Sequence, residues 1–165
     1  MTDNRGQMSA EYLLLFGTLI FILLISAIFI SYEQELITAM NAARNGVNEG
    51  IATSSSAIYP QDTFRDYSQS QSELLHPYSV EIVNVSYEEQ GFDNNYLKKK
   101  IQFRVYATTT HDFSKKELVS VGDRINYNLR KSLAYSFNTT HSTNRLYNPV
   151  FSSHYVYTTA NVKWV

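Results

Sequence analysis

Tyr12 to Ile30 reads YLLLFGTLIFILLISAIFI, 19 residues without a charged side chain. Apart from Tyr12, its only polar side chains are the hydroxyls of Thr18 and Ser26. Wound as a helix at about 1.5 Å per residue, the run spans roughly 28 Å, enough to cross the hydrocarbon core of a bilayer. The buried helix of a small soluble domain keeps a polar face, and this run has none. A secretory signal would show a basic start, a shorter apolar stretch and a small-residue cleavage site behind it. Here the preceding MTDNRG offers one base, Arg5, offset by Asp3, and SYEQEL follows the run. The segment is therefore expected to stay with the chain.

Working outward, the helical pattern does not stop at Ile30. No proline occurs before Pro60. Leu36, Met40, Ala43, Val47 and Ile51 recur at steps of four, three, four and four, the period of an amphipathic helix. Gly17, Gly46 and Gly50 weaken a helix without ending it, and Ser54-Ser55-Ser56 reads as its stop. One helix is expected from about Ser9 to Thr53. Its first half is apolar all round and needs lipid or other copies of itself. Its second half is apolar along one stripe and needs a folded domain to cover it.

The rest of the chain supplies that domain. Residues Ser54 to Pro77 are polar, with breakers at Pro60 and Pro77, and read as a surface loop with a turn of helix near Ser72 to Leu75. Ser79 to Tyr87 (SVEIVNVSY) reads as a strand from its β-branched content. A turn cluster follows over Glu88 to Asn95. Leu97 to Thr110 alternates clearly, with Leu97, Ile101, Phe103, Val105 and Ala107 on one face and Lys98, Lys100, Gln102, Arg104 and Tyr106 on the other. The two strands form an expected antiparallel hairpin. Ser114-Lys115-Lys116-Glu117 has the form of a capping box. Leu118, Val121, Ile125, Leu129, Leu133 and Phe137 then follow helical spacing, predicting a helix from Lys115 to Phe137. His154 to Val165 (HYVYTTANVKWV) reads as a last strand. The fold class is α+β: a long hydrophobic N-terminal helix packed on a small antiparallel sheet, with one further helix.

Composition narrows the function. The chain has 165 residues, a formal charge of -1 and no cysteine. One globular domain at most fits beside the apolar run. There is no basic excess for nucleic acid, so no nucleic-acid partner is expected. Disulfides and thiolate chemistry are excluded. His76, His111, His141 and His154 share no metal-ligand spacing, and no glycine-rich phosphate loop occurs. No metal, cofactor or catalytic site is expected, and the chain does not read as an enzyme. The run Lys98-Lys99-Lys100 reads as edge lysines that block further sheet pairing. Two N-glycosylation sequons occur, Asn84-Val85-Ser86 and Asn138-Thr139-Thr140. Asn138, just past a predicted helix, is the more accessible candidate; Asn84 falls within a predicted strand.

The residues leading into the apolar run carry the most specific signal. Glu11 stands at its edge, where a carboxylate drawn into lipid costs a few kcal/mol and calls for a partner. Gly6-Gln7-Met8-Ser9-Ala10-Glu11-Tyr12-Leu13 resembles the class III signal peptide of archaeal type IV pilins, in which a Gly is followed by Gln-x-Ser-x-Glu-Tyr-Leu and a long apolar helix. Gln7, Ser9, Glu11, Tyr12 and Leu13 all match. The resemblance covers about the first thirty residues and nothing beyond them.

The resemblance implies a life history. A prepilin peptidase would cut between Gly6 and Gln7 on the cytoplasmic side, giving a leader over 1–6, a helix over 7–53 with its membrane or filament-core part over 12–30, and an extracellular head over 54–165. The Gln7 amine would be charged, and the Glu11 carboxylate is expected to pair with the terminal amine of a neighbouring copy. An assembly ATPase and membrane platform would be further partners. The expected function is that of a filament subunit serving adhesion, held in the membrane as a single-pass precursor and exposed at the cell surface when mature. The competing readings are a minor pilin or pseudopilin, and a membrane-anchored binding domain that never polymerises. For Glu11 alone, a favourable charge near a helix N-terminus is the simpler reading.

Overall fold

The computed structural model describes the backbone of residues 4–55 and 79–165, and the side chains of 9–52 and 79–165. Helix α1 (Asn4–Ser55) is followed by strand β1 (Val80–Asp93), strand β2 (Lys98–Thr109), helix α2 (Lys115–Ser136), a 3-10 turn (Thr140–Ser142), and strands β3 (Val150–Phe151), β4 (Tyr155–Thr159) and β5 (Lys163–Trp164). The chain divides into two compact units, Met1–Ile37 and Thr38–Val165. The loop expected over 54–77, with its turn near Ser72, lies outside the described residues apart from its first two positions, which belong to α1.

The first unit contains the apolar run. Every described side chain over 9–31 is exposed. Its large apolar residues range from 42% exposed at Ile20 to 75% at Leu13. Burying a leucine or phenylalanine side chain gains about 1.5–3 kcal/mol, so leaving this many in water forgoes on the order of tens of kcal/mol. The helix is long and apolar enough to cross a membrane. Its two interior hydroxyls are already satisfied: Thr18 Oγ1 donates to the Leu15 carbonyl at 2.8 Å, and Ser26 Oγ to that of Ile22 at 2.9 Å.

The second unit takes the last turns of α1 into its own core. Ala39, Ala42, Ala43, Gly46, Val47 and Gly50 are buried there. The expected stripe of Ala43 and Val47 is thus present, widened by small residues. Those small residues let α2 come close. A Cβ on Gly46 would lie 2.5 Å from the Asn128 carbonyl oxygen and 2.7 Å from Leu129 Cα, and one on Gly50 3.1 Å from Ile125 Cα. Two glycines four apart therefore sit at a helix crossing. Lys131 and Glu49 pair across it at 3.6 Å.

Helix α2 begins as the sequence expects. Ser114 Oγ accepts from the Glu117 N–H at 3.3 Å, and the Glu117 carboxylate accepts from the Ser114 N–H at 2.8 Å, a complete capping box. Val121, Ile125, Leu129 and Leu133 form its buried face. Gly122, the mid-helix weak point, is a second close approach: a Cβ there would meet Val162 Cβ at 3.3 Å.

The sheet has the order β1-β2-β4-β3, with β5 also on β2. β1 and β2 pair antiparallel, as the hairpin reading expects. β4 and β5 instead run parallel to β2, so the sheet is mixed rather than purely antiparallel. The cause is α2. It carries the chain back to the start of β2 before β4 begins, which is a β-α-β crossover. Ile101, Phe103, Val105 and Ala107 face the core at 0–1% exposure. Phe103 lies beside Tyr157, with ring centroids 6.0 Å apart, and Phe137 stacks on Tyr157 at 5.5 Å.

Four further expectations change. α1 starts at Asn4, not Ser9. β1 continues to Asp93, through the residues read as a turn, and the actual turn occupies 94–97. Leu97 is not on the core face; it is 75% exposed with φ +52°. The edge-lysine reading fails because β2 is flanked on both sides. Lys98 Nζ instead donates to the carbonyls of Ser152 (a short contact) and Ser153 (2.9 Å), tying β2 to the loop before β4.

Candidate functional site

The sequence-selected residues lie at the start of α1. The backbone of Gly6 and Gln7 is helical, and Ser9, Glu11, Tyr12 and Leu13 are exposed, the last two at 72% and 75%. Glu11 is the last charge before the apolar run. It lies seven residues into α1, beyond the first turn where the helix dipole favours an anion. The simple dipole reading therefore loses force for the uncut chain. Cleavage after Gly6 would remove the leading turn and bring Glu11 to the fifth position.

The two sequons occupy different settings. Asn84 is exposed on β1, next to a register irregularity between Ile82 and Asn84. Asn138 is exposed just past α2, with φ +53°. The Asn138 N–H donates to the Tyr135 carbonyl at 3.1 Å and the Thr139 N–H to that of Ala134 at 2.8 Å. That is the Schellman pattern, whose left-handed position favours Gly or Asn. The helix stop alone thus accounts for an asparagine at 138.

Two features of the head were not foreseen. The first is a tyrosine cluster. Tyr147, in the loop after the 3-10 turn, lies 5.5 Å from Tyr127 and 6.4 Å from Tyr135, ring centroid to centroid. Desolvation, then the neighbouring phenols Tyr135 and Tyr127, raises the Tyr147 pKa above its ordinary value. Arg130 holds the same loop: Nε donates to the Leu146 carbonyl at 3.0 Å and Nη1 to Thr159 Oγ1 at 2.5 Å. Desolvation lowers the Arg130 pKa, and Asp123 opposes that shift; the guanidinium remains charged at any physiological pH. The spacing of aromatic residues gave no sign of this cluster, because Tyr147 comes from outside any regular element.

The second is a groove of about 330 Å³ between the first turns of α2 and the C-terminal strand, with Leu118, Val119, Val162 and Trp164 as its apolar wall and Lys115 and Asp123 at its rim. Asn126 closes one side. Its Nδ2 donates to the Ala160 carbonyl at 2.9 Å, and its Oδ1 is buried without a hydrogen-bond partner among the described residues. The groove exists because one extra residue separates β4 from β5. Phe103 pairs Thr159, the Ala160 N–H still donates to the Phe103 carbonyl at 2.8 Å, and Tyr106 pairs Lys163, so 161–162 bulge away from β2.

Among the described residues no His, Asp and Glu side chains gather into a metal-binding group. His76 lies outside the described residues. Comparison with protein-family models, with characterised proteins and with solved structures finds no match. What the chain itself establishes is an α+β head carrying a long apolar helix suited to a membrane.

Proposed function

We propose that this chain is the structural subunit of an archaeal type IV pilus-like surface filament serving adhesion, cut between Gly6 and Gln7 by a prepilin peptidase and assembled through α1. The observation that carries the reading is the all-round exposure of the apolar run 12–30 directly behind the Glu11 carboxylate. A helix apolar on every side needs lipid or its own kind, and both are available to a subunit that leaves the membrane for a filament. A plain anchor has no use for Glu11 at the lipid boundary, whereas a neighbour's new Gln7 amine would neutralise it in a low-dielectric core. Gly6 suits the cut, because glycine is among the weakest helix formers and the peptidase must open the turn that contains it.

N-terminal sequencing of surface-exposed protein tests the processing step. A start at Gln7 supports it, and a start near Ser31 replaces it with ordinary secretion. Glu11→Ala tests assembly. Cleavage and membrane insertion should persist while filaments disappear; normal filaments would leave the charge pairing without support and favour the non-polymerising anchor. The exposed sequon at Asn138 is the proposed glycan site. The intact mass of mature protein should exceed that of the bare polypeptide, and Asn138→Gly should remove the excess while keeping the helix stop.

A further inference from the structure

The head carries an apolar projection at one end of β2 and the groove beside α2 at the other. The turn 94–97 joins β1 to β2 and presents Leu97 at 75% and Tyr96 at 43% exposure, with Phe92 at 60% beside it on β1. Leu97 is doubly unfavourable as leucine. It gains nothing from burial within the chain, and φ +52° is a left-handed conformation that branched, bulky side chains avoid. A residue costly on both counts within its own subunit points to a use outside it. The tip is also held in place: Tyr96 packs edge-on against Phe151, centroids 5.2 Å apart, and Asp93 Oδ1 accepts from the Asn95 N–H at 2.9 Å.

The groove lies at the far end. Trp164 pairs with Ala107, nine residues along β2 from Lys98, which is about 30 Å at strand rise. The projection and groove are complementary in character. Leu97 and Phe92 meet a wall of Leu118, Val119, Val162 and Trp164. Each carries both signs of charge: Asp93, Lys98 and Lys99 lie beside the tip, and Lys115 and Asp123 line the groove. A patch and its complement at opposite ends of one molecule can join copies head to tail, and where the rotation between them does not close a ring the series stays open.

We propose that the 94–97 turn of one copy docks in the α2–β5 groove of the next, forming a second, head-level contact between filament subunits. The proposal rests on the filament reading, which supplies the aligned copies. The contact lies between soluble heads and is independent of the Glu11 pairing.

The chain has no native cysteine, which makes the test direct. Full-length Leu97→Cys/Val119→Cys is produced in the native host, and sheared surface material is oxidised mildly. Both positions are exposed, at 75% and 62%, so folding is not at stake. The two sites are too far apart to join within one chain, because a disulfide needs Cα atoms within about 7 Å. Docking predicts a ladder of dimers, trimers and higher multimers that reductant collapses, and no ladder from either single variant. Maleimide labelling confirms that both thiols are free before oxidation. The unsubstituted chain is imaged in parallel. Filaments without a ladder overturn the head contact alone. A ladder from membranes oxidised in parallel, with no filaments on the cells, leaves docking between heads standing and removes both the filament reading and the contact's place within a filament. Neither ladder nor filaments removes both.

Discussion

The two halves of α1 share a backbone and almost nothing else. Over 9–31 every side chain is exposed and most are large; over 38–50 the buried positions are Ala39, Ala42, Ala43, Gly46, Val47 and Gly50, small with the exception of valine. The first half is made for a fluid or repetitive apolar surrounding, which accepts any greasy shape. The second is made for one partner surface at close range. Chemistry governs the first half and shape governs the second, so a charge should be ruinous in one and a methyl group in the other.

The largest effect expected is from Leu23→Arg. Near the middle of the apolar run, a guanidinium should cost about 3 kcal/mol of membrane insertion. Carbonate should then extract a larger share of the variant than of the unsubstituted chain. Identical extraction would mean that Leu23 does not face lipid.

The same substitution at two glycines gives the sharper contrast. Gly46→Ala would drive a Cβ into the backbone of α2, and should destabilise the head by about 2 kcal/mol, the usual scale of overpacking. Gly17→Ala meets nothing within 4 Å, and should raise helix stability by up to about 1 kcal/mol through propensity alone. Thermal unfolding in detergent, followed by the near-ultraviolet signal of Trp164 and the head tyrosines, reads the first; helicity by far-ultraviolet dichroism reads the second. Equal responses would erase the distinction between the halves.

The smallest effect concerns α2, which carries its own start signal. Ser114→Ala removes one arm of the capping box and should cost about 1 kcal/mol, lowering the melting temperature of the head and leaving membrane insertion unchanged. A change in insertion would couple the two units more tightly than their separate chemistry implies.

Much of this was legible in residue order. The apolar run, the continuation of α1 past Ile30, the capping box at Ser114 and the alternating face of β2 from Ile101 to Ala107 each rest on local spacing, and each is present. What stayed hidden depended on partners distant in sequence. Glu88 to Asp93 have neither alternation nor burial; they are strand because β2 offers backbone partners from Gln102 to Lys98. The parallel sense of β4 follows from where α2 delivers the chain, which no residue in HYVYTT encodes. Lys98 looked like an edge guard because sheet order cannot be read from one strand. Gly46 and Gly50 looked like helix weaknesses until the surface of α2 that presses against them was in place. The motif from Gln7 to Leu13 is the opposite case: plain in sequence, with a proposed meaning that lies in cleavage and assembly outside the single chain.

Thr18 and Ser26 have one last implication. Each hydroxyl spends its proton on a carbonyl of its own helix. Passing from acyl chains to a bundle of like helices would break neither bond and strand no donor. The exchange would trade one set of dispersion contacts for another of similar depth. Direction would then be decided by the charges at Gln7 and Glu11 and by whatever the heads do with one another, which allows a modest bias at either place to commit the whole rod.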